Sequence, residues 1–174
     1  MRHPLTLATL AALLFATPLA HAQEQASLGL GVGLVKPSDV DSTFWVTANY
    51  RFRVGDRLWL EPEAGYWKKG DDVPGVEVSV EDLNFGLNAI LAMPSGGLEP
   101  WVGAGLGVHL VKGVIGLDDT DFDLDETETK LGIHLLGGLD FGLTDSFDLF
   151  AALRYDIVSD LSQFKAYGGL RYKF

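Results

Sequence analysis

The chain has 174 residues, of which 13 are basic and 24 acidic, and a formal net charge of −11 at pH 7. Nucleic-acid-binding proteins usually carry the opposite excess, so this charge argues against nucleic acid as a partner. The length fits one domain, and the absence of cysteine excludes a fold held by disulfides.

The first 22 residues have the parts of a secretory signal. Arg2 lies in a short positive end, Leu5–Ala16 is an apolar run, and Ala20–Ala22 is a small-x-small cleavage site. The apolar run is shorter than the roughly 20 residues that a membrane-spanning helix needs. The sequence therefore predicts a cleaved signal peptide over residues 1–22 and one mature domain over residues 23–174.

Apolar and polar residues alternate along eight segments of the mature domain. In the first of them, leucine and valine occupy one face and glycine the other. A period of two predicts a β-strand with one apolar face. The eight segments are 27–34, 44–54, 58–67, 82–91, 98–110, 130–143, 147–157 and 162–174. Each is about long enough to cross a bilayer as a tilted strand.

Short and long connections alternate between these strands. Turn-forming residues predict tight turns at 55–56, 94–96 and 144–145. Longer, acidic loops are predicted at Pro37–Thr43, Gly70–Glu81 and Val114–Thr129, with a brief one at Ser159–Leu161. Short turns at one end and long loops at the other are typical of a membrane barrel. The sequence predicts an all-β fold: an eight-stranded, antiparallel, up-and-down transmembrane β-barrel.

A soluble, ligand-carrying barrel of the lipocalin type is the main alternative, because it has the same period. Such a barrel would turn its apolar face inward. Here the polar face is rich in glycine and in charges of both signs, which is a poor lining for a lipid-like ligand. The apolar face is a continuous belt on all eight strands, too apolar for exposure to water. The membrane barrel is therefore favoured.

Two segments carry a family resemblance. Glu99–Gly107, with the sequence EPWVGAGLG, and Gly168–Phe174, with the sequence GGLRYKF, resemble a Pro-aromatic-Val-Gly-Ala-Gly strand and a Gly-Leu-Arg-Tyr-x-Phe ending. These are features of small bacterial outer-membrane β-barrels, the group around outer membrane proteins A and X. The resemblance covers residues 26–174 and implies the outer membrane of a diderm bacterium. It also implies a monomer surrounded by outer-membrane lipid and lipopolysaccharide.

The last strand also resembles the C-terminal signal by which outer-membrane barrels are recognised for assembly. An exposed, apolar final strand would favour aggregation in a soluble protein, whereas it suits the closing strand of a barrel with its aromatic end at the membrane interface. The residues that match the signal are Gly169, Tyr172 and Phe174. The resemblance implies that the barrel assembly machinery is a partner.

Charges of both signs are predicted to point into the barrel. The predicted network is Arg51, Glu61, Glu63, Arg154, Asp156 and Lys165. A three-residue hairpin sets Arg51 opposite Glu61, and the last hairpin is expected to set Asp156 opposite Lys165. Because side chains just fill an eight-stranded barrel, these charges are interpreted as a plug. The alternative is a narrow channel for ions or small solutes.

His109 and His134 are predicted to face the same interior. Barrel enzymes that modify lipids or cleave proteins need a histidine with a hydroxyl or carboxylate partner. No inward serine lies beside either histidine on its own strand. The favoured interpretation is that each histidine is hydrogen-bonded by a neighbour such as Asp156, and a lipid-modifying enzyme is the less favoured alternative. No cofactor is predicted.

The longest predicted loop is rich in acidic residues. Asp121, Asp123 and Asp125 alternate, so on an extended strand they would project to one side and could share a Ca²⁺ ion. The calcium-hand spacing fails, because Leu124 occupies the glycine position and Lys130 the final acidic position. A solvated loop is preferred. The sequence thus predicts a non-enzymatic outer-membrane barrel with a plugged polar lumen and acidic outer loops, in a structural or surface-binding role.

Overall fold

The computed structural model describes residues 26–73, 76–93, 97–117 and 123–174, so the predicted signal peptide lies outside the described residues. The strands are β1 Ala26–Pro37, β2 Thr43–Arg53, β3 Leu58–Val73, β4 Val76–Ala92, β5 Leu98–Leu117, β6 Asp123–Gly142, β7 Phe147–Val158 and β8 Gln163–Lys173. Each pairs antiparallel with the next, and β1 pairs with β8 to close the barrel. The predicted eight-stranded barrel is confirmed. In these four ranges, no helix is both long enough and apolar enough to cross a membrane.

The alternation along each strand decides which side chains lie inside. On β7, every second residue is buried. Phe150 and Arg154 point inward, whereas Leu149 and Leu153 expose 43% and 55% of their surface. A bilayer solvates such apolar side chains, and the interior supplies partners for the polar ones. The polarity is therefore the reverse of that of a soluble ligand-carrying barrel.

Large aromatic rings share the interior with the charged groups. Trp45, Trp67 and Tyr167 are buried, and the rings of Trp45 and Tyr167 meet edge to face with centroids 6.3 Å apart. Glycine supplies the space, since a Cβ on Gly65 would lie 1.8 Å from the Trp45 ring. The interior is consequently packed with side chains, as the geometry of an eight-stranded barrel requires.

The two ends of the barrel differ. We call the end with the β2–β3 and β6–β7 turns the turn end, and the opposite end the extended end. At the extended end, the β1–β2 and β7–β8 connections meet where Ser38 N donates to Ser162 O at 2.8 Å. Leu161 of the β7–β8 connection is buried within the interior cluster, and Val40 of the β1–β2 connection packs against the same cluster. Both connections therefore contribute side chains to the interior cluster at this end.

Strands β3 to β6 continue well beyond the rest of the barrel at the extended end. The β3–β4 register runs to Val73 opposite Val76, and the β5–β6 register runs to Gly116 opposite Asp123. The loops predicted at Gly70–Glu81 and Val114–Thr129 are therefore wrong over most of their length. Their acidic composition indicated loops, but the consecutive residues 126–128 of β6 are all exposed, so water reaches both faces there and polar residues fit a strand. We call residues 68–73, 76–81, 111–117 and 123–128 the sheet extension.

Candidate functional site

Two charged clusters occupy the barrel interior, and the first lies near the turn end. Arg51 Nε donates to Glu61 Oε2 at 2.8 Å, and Arg51 Nη1 donates to Asp140 Oδ2 at 2.8 Å. Arg171 Nη1 donates to Asn49 Oδ1 at 2.9 Å and lies 3.5 Å from Glu61 Oε2. All five side chains are buried. In this turn-end cluster, two arginines balance two carboxylates.

The second group, the central cluster, is organised around Arg154. Its Nη1 donates to Glu63, and its Nε donates to Asp156 Oδ1 at 2.5 Å. Lys165 Nζ donates to Asp156 Oδ2 at 2.7 Å. The four charged side chains are each 3% exposed or less. The structure thus places all six residues of the predicted network inside the barrel, divided between the two clusters.

The predicted register of β7 and β8 is wrong by two residues. Lys165 lies opposite Arg154, and Asp156 lies opposite Gln163. Six residues separate Asp156 from Gln163, rather than the eight that the predicted pairing required, so the turn is tighter, and it includes Asp160 at a φ of 60°, a conformation that short polar residues tolerate. The ion pair between Lys165 and Asp156 therefore forms along the diagonal between the strands, where long side chains still reach each other.

Several contacts join strands that lie on opposite sides of the barrel. In a closed eight-stranded barrel, each strand faces the one four positions further along the sheet. The cross-barrel bridges are Arg51–Asp140 between β2 and β6, Glu63–Arg154 between β3 and β7, and Asp82–Gln163 between β4 and β8. These bridges span the lumen, and a cavity of about 360 Å³ lies on the turn-end side, where it reaches Arg51, Asp140 and Arg171.

His109 and His134, the histidine pair, face each other in the interior. His109 Nδ1 lies 2.8 Å from Asp82 Oδ2, and His134 Nδ1 lies 3.3 Å from Asn88 Oδ1. The two Nε2 atoms are 3.4 Å apart, and both rings are fully buried. The space comes from glycine, because a Cβ on Gly107 would lie 2.3 Å from the His134 ring. The pair is thus held in place by neighbours on β4 and β5.

Sequence reasoning missed the role of Asp82 beside His109. It expected Asp156 as a histidine partner, but Asp156 Oδ1 lies 4.0 Å from His134 Nε2. The polar face of β4 contained the relevant signal, since Asp82 and Asn84 follow the inward alternation and Asn84 lies opposite His109. That signal requires the β4–β5 register, which the alternation along a single strand does not supply.

The proposed assembly residues lie together where the barrel closes. Phe174 N donates to Ala26 O at 3.0 Å, and the Tyr172 ring lies 5.1 Å from the Phe174 ring. A Cβ on Gly169 would lie 1.9 Å from Leu30 O, so only glycine permits the close approach of β8 to β1. This arrangement gives the three residues a shared location, and their role as a signal remains a prediction.

The acidic residues considered for Ca²⁺ are only partly within the described chain. Asp121 lies outside the described residues. Asp123 and Asp125 belong to β6, where their backbones pair with Gly116 and Val114 of β5. They therefore lie on a strand of the sheet extension, and Ca²⁺ binding by this segment stays a prediction.

Comparisons with known proteins agree on the architecture. The model of the outer membrane protein beta-barrel domain matches residues 6–174. The search of curated proteins found no match. Neisserial surface protein A is similar at 21% identity and a TM-score of 0.66, with 86% of this chain and 97% of that chain covered. Ail, the attachment invasion locus protein of Yersinia pestis, is similar at 14% identity and a TM-score of 0.61, with the same coverage.

A third similar structure is the N-terminal β-barrel domain of Pseudomonas aeruginosa OprF. It shares 19% identity and a TM-score of 0.60, with 87% of this chain and 98% of that chain covered. At such identities, these structural likenesses concern the fold alone.

Proposed function

Since the chain belongs to the family of the outer membrane protein β-barrel domain, we propose that it is a non-enzymatic outer-membrane barrel that binds a basic partner through its sheet extension. The charge of the extended end is the observation that carries this proposal. The sheet extension contains eight acidic residues against three lysines, Lys68, Lys69 and Lys112, so it carries a net negative charge. We place this end outside the cell and the turn end in the periplasm.

The edges of the sheet extension suggest how a partner binds. In the described part of the chain, the β6–β7 register begins only at Gly132, so the outer part of β6 is an edge. A strand edge offers N–H and C=O groups that can pair with an extended segment of another protein. Glu126 and Glu128 on this edge are exposed. A basic, extended peptide fits both the hydrogen-bonding groups and the charge.

The surroundings of the barrel follow from its apolar belt. We propose a monomer in contact with outer-membrane lipid and lipopolysaccharide, inserted by the barrel assembly machinery. Ail has been crystallised in complex with the heparin analogue sucrose octasulfate. The acidic extended end of this chain favours a partner of the opposite charge to that analogue.

An oligolysine peptide tests the proposal. We expect it to bind the barrel in nanodiscs, and to bind more weakly as salt is added, because exposed charges are screened. The double variant Glu126→Gln/Glu128→Gln should bind several-fold more weakly. Asp56→Asn/Asp145→Asn removes the same charge from exposed positions at the turn end and serves as the control. Equal loss in both variants, or no binding by the parent barrel, would contradict the proposal.

A narrow ion channel is the second candidate, and the charged cavity at the turn end favours it. The cross-barrel bridges oppose it, because an ion would have to separate buried ion pairs, which is costly. We expect no single-channel steps from the refolded barrel in planar bilayers. Reproducible steps would establish the channel. Release of fatty acid from labelled lipopolysaccharide would instead establish the enzyme alternative.

A further inference from the structure

We propose that the histidine pair and Asp156 form a site for one divalent transition-metal ion of the zinc type inside the barrel. The three residues offer His109 Nε2, His134 Nε2 and a carboxylate oxygen of Asp156, and the ligand atoms all lie within 4.8 Å of one another. Two imidazoles and a carboxylate are a ligand set that zinc sites use. This inference is independent of the function proposed for the sheet extension.

The separation of the imidazoles fits such an ion. Zinc–nitrogen bonds are about 2.0–2.1 Å long, so two nitrogen ligands of a tetrahedral ion lie about 3.3 Å apart. The two Nε2 atoms are 3.4 Å apart. Asp156 Oδ1 is 4.0 Å from His134 Nε2, and all three ligand atoms lie within 4.8 Å of one another, so Asp156 would need to approach the imidazoles by up to about 1.5 Å. The imidazoles already have the spacing of tetrahedral ligands.

The outer nitrogens of both rings have oxygen partners that leave Nε2 free to coordinate. Asp82 Oδ2 lies at 2.8 Å from His109 Nδ1, and Asn88 Oδ1 lies at 3.3 Å from His134 Nδ1. An oxygen acceptor at Nδ1 places the proton there and the lone pair on Nε2. Histidine ligands of metals typically donate their other N–H to such an oxygen. Two lone pairs then face each other, and a cation between them removes their repulsion.

Arg154 does not occupy the coordinating position of His134. Its Nη2 lies 3.0 Å from His134 Nε2 and 3.1 Å from His134 Nδ1. An atom almost equally distant from both ring nitrogens lies along neither lone pair, because the two directions diverge. The Asp156 carboxylate can bind a metal ion in addition to Arg154 and Lys165, since each carboxylate oxygen accepts more than one contact.

The charge and the unpartnered groups around the site also favour a cation. Glu63, Asp82 and Asp156 bring three carboxylates to this region, whereas Arg154 and Lys165 bring two cations. Neither polar side-chain atom of Asn84 has a hydrogen-bond partner in the described structure, although Asn84 is fully buried. Buried polar groups normally have partners, and Asn84 lies opposite His109. It could ligate the ion directly or bind a water in the fourth position.

The sequence makes this site simple to test. A barrel that starts at Gln23 contains no cysteine and no histidine other than His109 and His134. It should be refolded without a polyhistidine tag and titrated with Co²⁺, a coloured substitute for Zn²⁺. We expect one equivalent to bind with the absorption of a four-coordinate site, and Zn²⁺ to displace it. His109→Gln and His134→Gln should each lose this absorption.

Two further variants separate a metal site from a general effect on the interior. Asp82→Asn removes the carboxylate behind His109 and should weaken binding by about 10–100-fold. Asp148→Asn removes a carboxylate that pairs with Lys173 elsewhere in the interior and should leave the affinity unchanged. Heat-dependent gel mobility reports whether each variant has folded.

Imidazole ¹⁵N NMR of the parent barrel tests the site without any substitution. We expect Zn²⁺ to shift both Nε2 resonances at one equivalent. The proposal is overturned if these resonances respond to pH but not to Zn²⁺, since the pair then binds only a proton. It is also overturned if the folded parent barrel binds no Co²⁺, or if a folded variant without both histidines keeps the absorption.

Discussion

Arg154 on β7 and Glu63 on β3 form an ion pair across the full width of the barrel, and neither side chain is exposed. Arg154 also pairs with Asp156 on its own strand and lies with its guanidinium 5.8 Å from the centroid of the Trp45 ring. One side chain thereby connects both walls of the barrel. The interior depends on this residue more than on any surface ion pair, because buried charges cannot turn to water.

Loss of this arginine should be strongly destabilising. Arg154→Met removes the positive charge that pairs with the buried carboxylates of Glu63 and Asp156. We therefore expect a loss of about 3–5 kcal/mol in the free energy of unfolding. Adding Glu63→Gln should recover part of it. Urea unfolding in lipid vesicles measures both effects. The control is Lys173→Met, whose partly exposed pair with Asp148 should contribute about 1 kcal/mol or less. Similar costs for both arginine and lysine variants would contradict the central role of Arg154.

The apolar face should reject charge where lipid covers it. Leu106 is 67% exposed on β5, and Leu106→Arg should reduce the free energy of unfolding by about 2–4 kcal/mol in a bilayer. Thr127→Arg makes a comparable change on the exposed sheet extension and should have little effect. The same urea series compares the two variants. If they cost the same, the Leu106 face is not embedded in lipid.

The packing of Trp45 should depend on a glycine. A methyl group on Gly65 would collide with the Trp45 ring, so Gly65→Ala should destabilise the barrel by about 1–3 kcal/mol through overpacking. Tryptophan fluorescence should change together with the melting temperature. Gly113→Ala is the matched control, because nothing lies within 4 Å of its added Cβ. An unchanged melting temperature in Gly65→Ala would show that the ring can move aside easily.

The aromatic end of β8 should matter for assembly in cells. Tyr172→Ser/Phe174→Ser removes the ring contacts beside the β1–β8 closure, and we expect the protein to accumulate in the periplasm. Cell fractionation and heat-dependent gel mobility measure the outcome. Phe44→Ser, at a position 79% exposed near the extended end, is the control. A normal yield of the double variant in the outer membrane would show that these residues are not the assembly signal.

The strands were predictable because barrel walls impose a strict alternation. Leu149 faces lipid and Phe150 faces the lumen. The alternation of polarity along the whole of β7 predicts which residues belong to each face. The sheet extension was not predictable in the same way. In the outer part of β6, consecutive residues on both faces are exposed, so residues such as Glu126 and Glu128 no longer distinguish a strand from a loop.

The candidate site depends on geometry that a linear pattern does not contain. The inward direction of His109 and His134 follows from alternation, but their meeting depends on the registers of β4, β5 and β6. The β7–β8 register shows the difficulty, because the observed pairing differs by two residues from the one that the sequence predicted. Contacts between distant strands also depend on barrel tilt and side-chain length, which no local signal encodes.

The sheet extension also determines how the height of the molecule above the membrane can vary. The β3–β4 and β5–β6 registers run unbroken from the barrel wall to Val73 opposite Val76 and to Gly116 opposite Asp123. Insertion of one residue in each strand of a hairpin would reverse its faces, whereas insertion of two would preserve them. The height of each hairpin above the membrane can therefore change in steps of about 7 Å, without any change to the part of the chain that crosses the lipid. Each hairpin can therefore differ in length between related barrels while the membrane-spanning part stays the same.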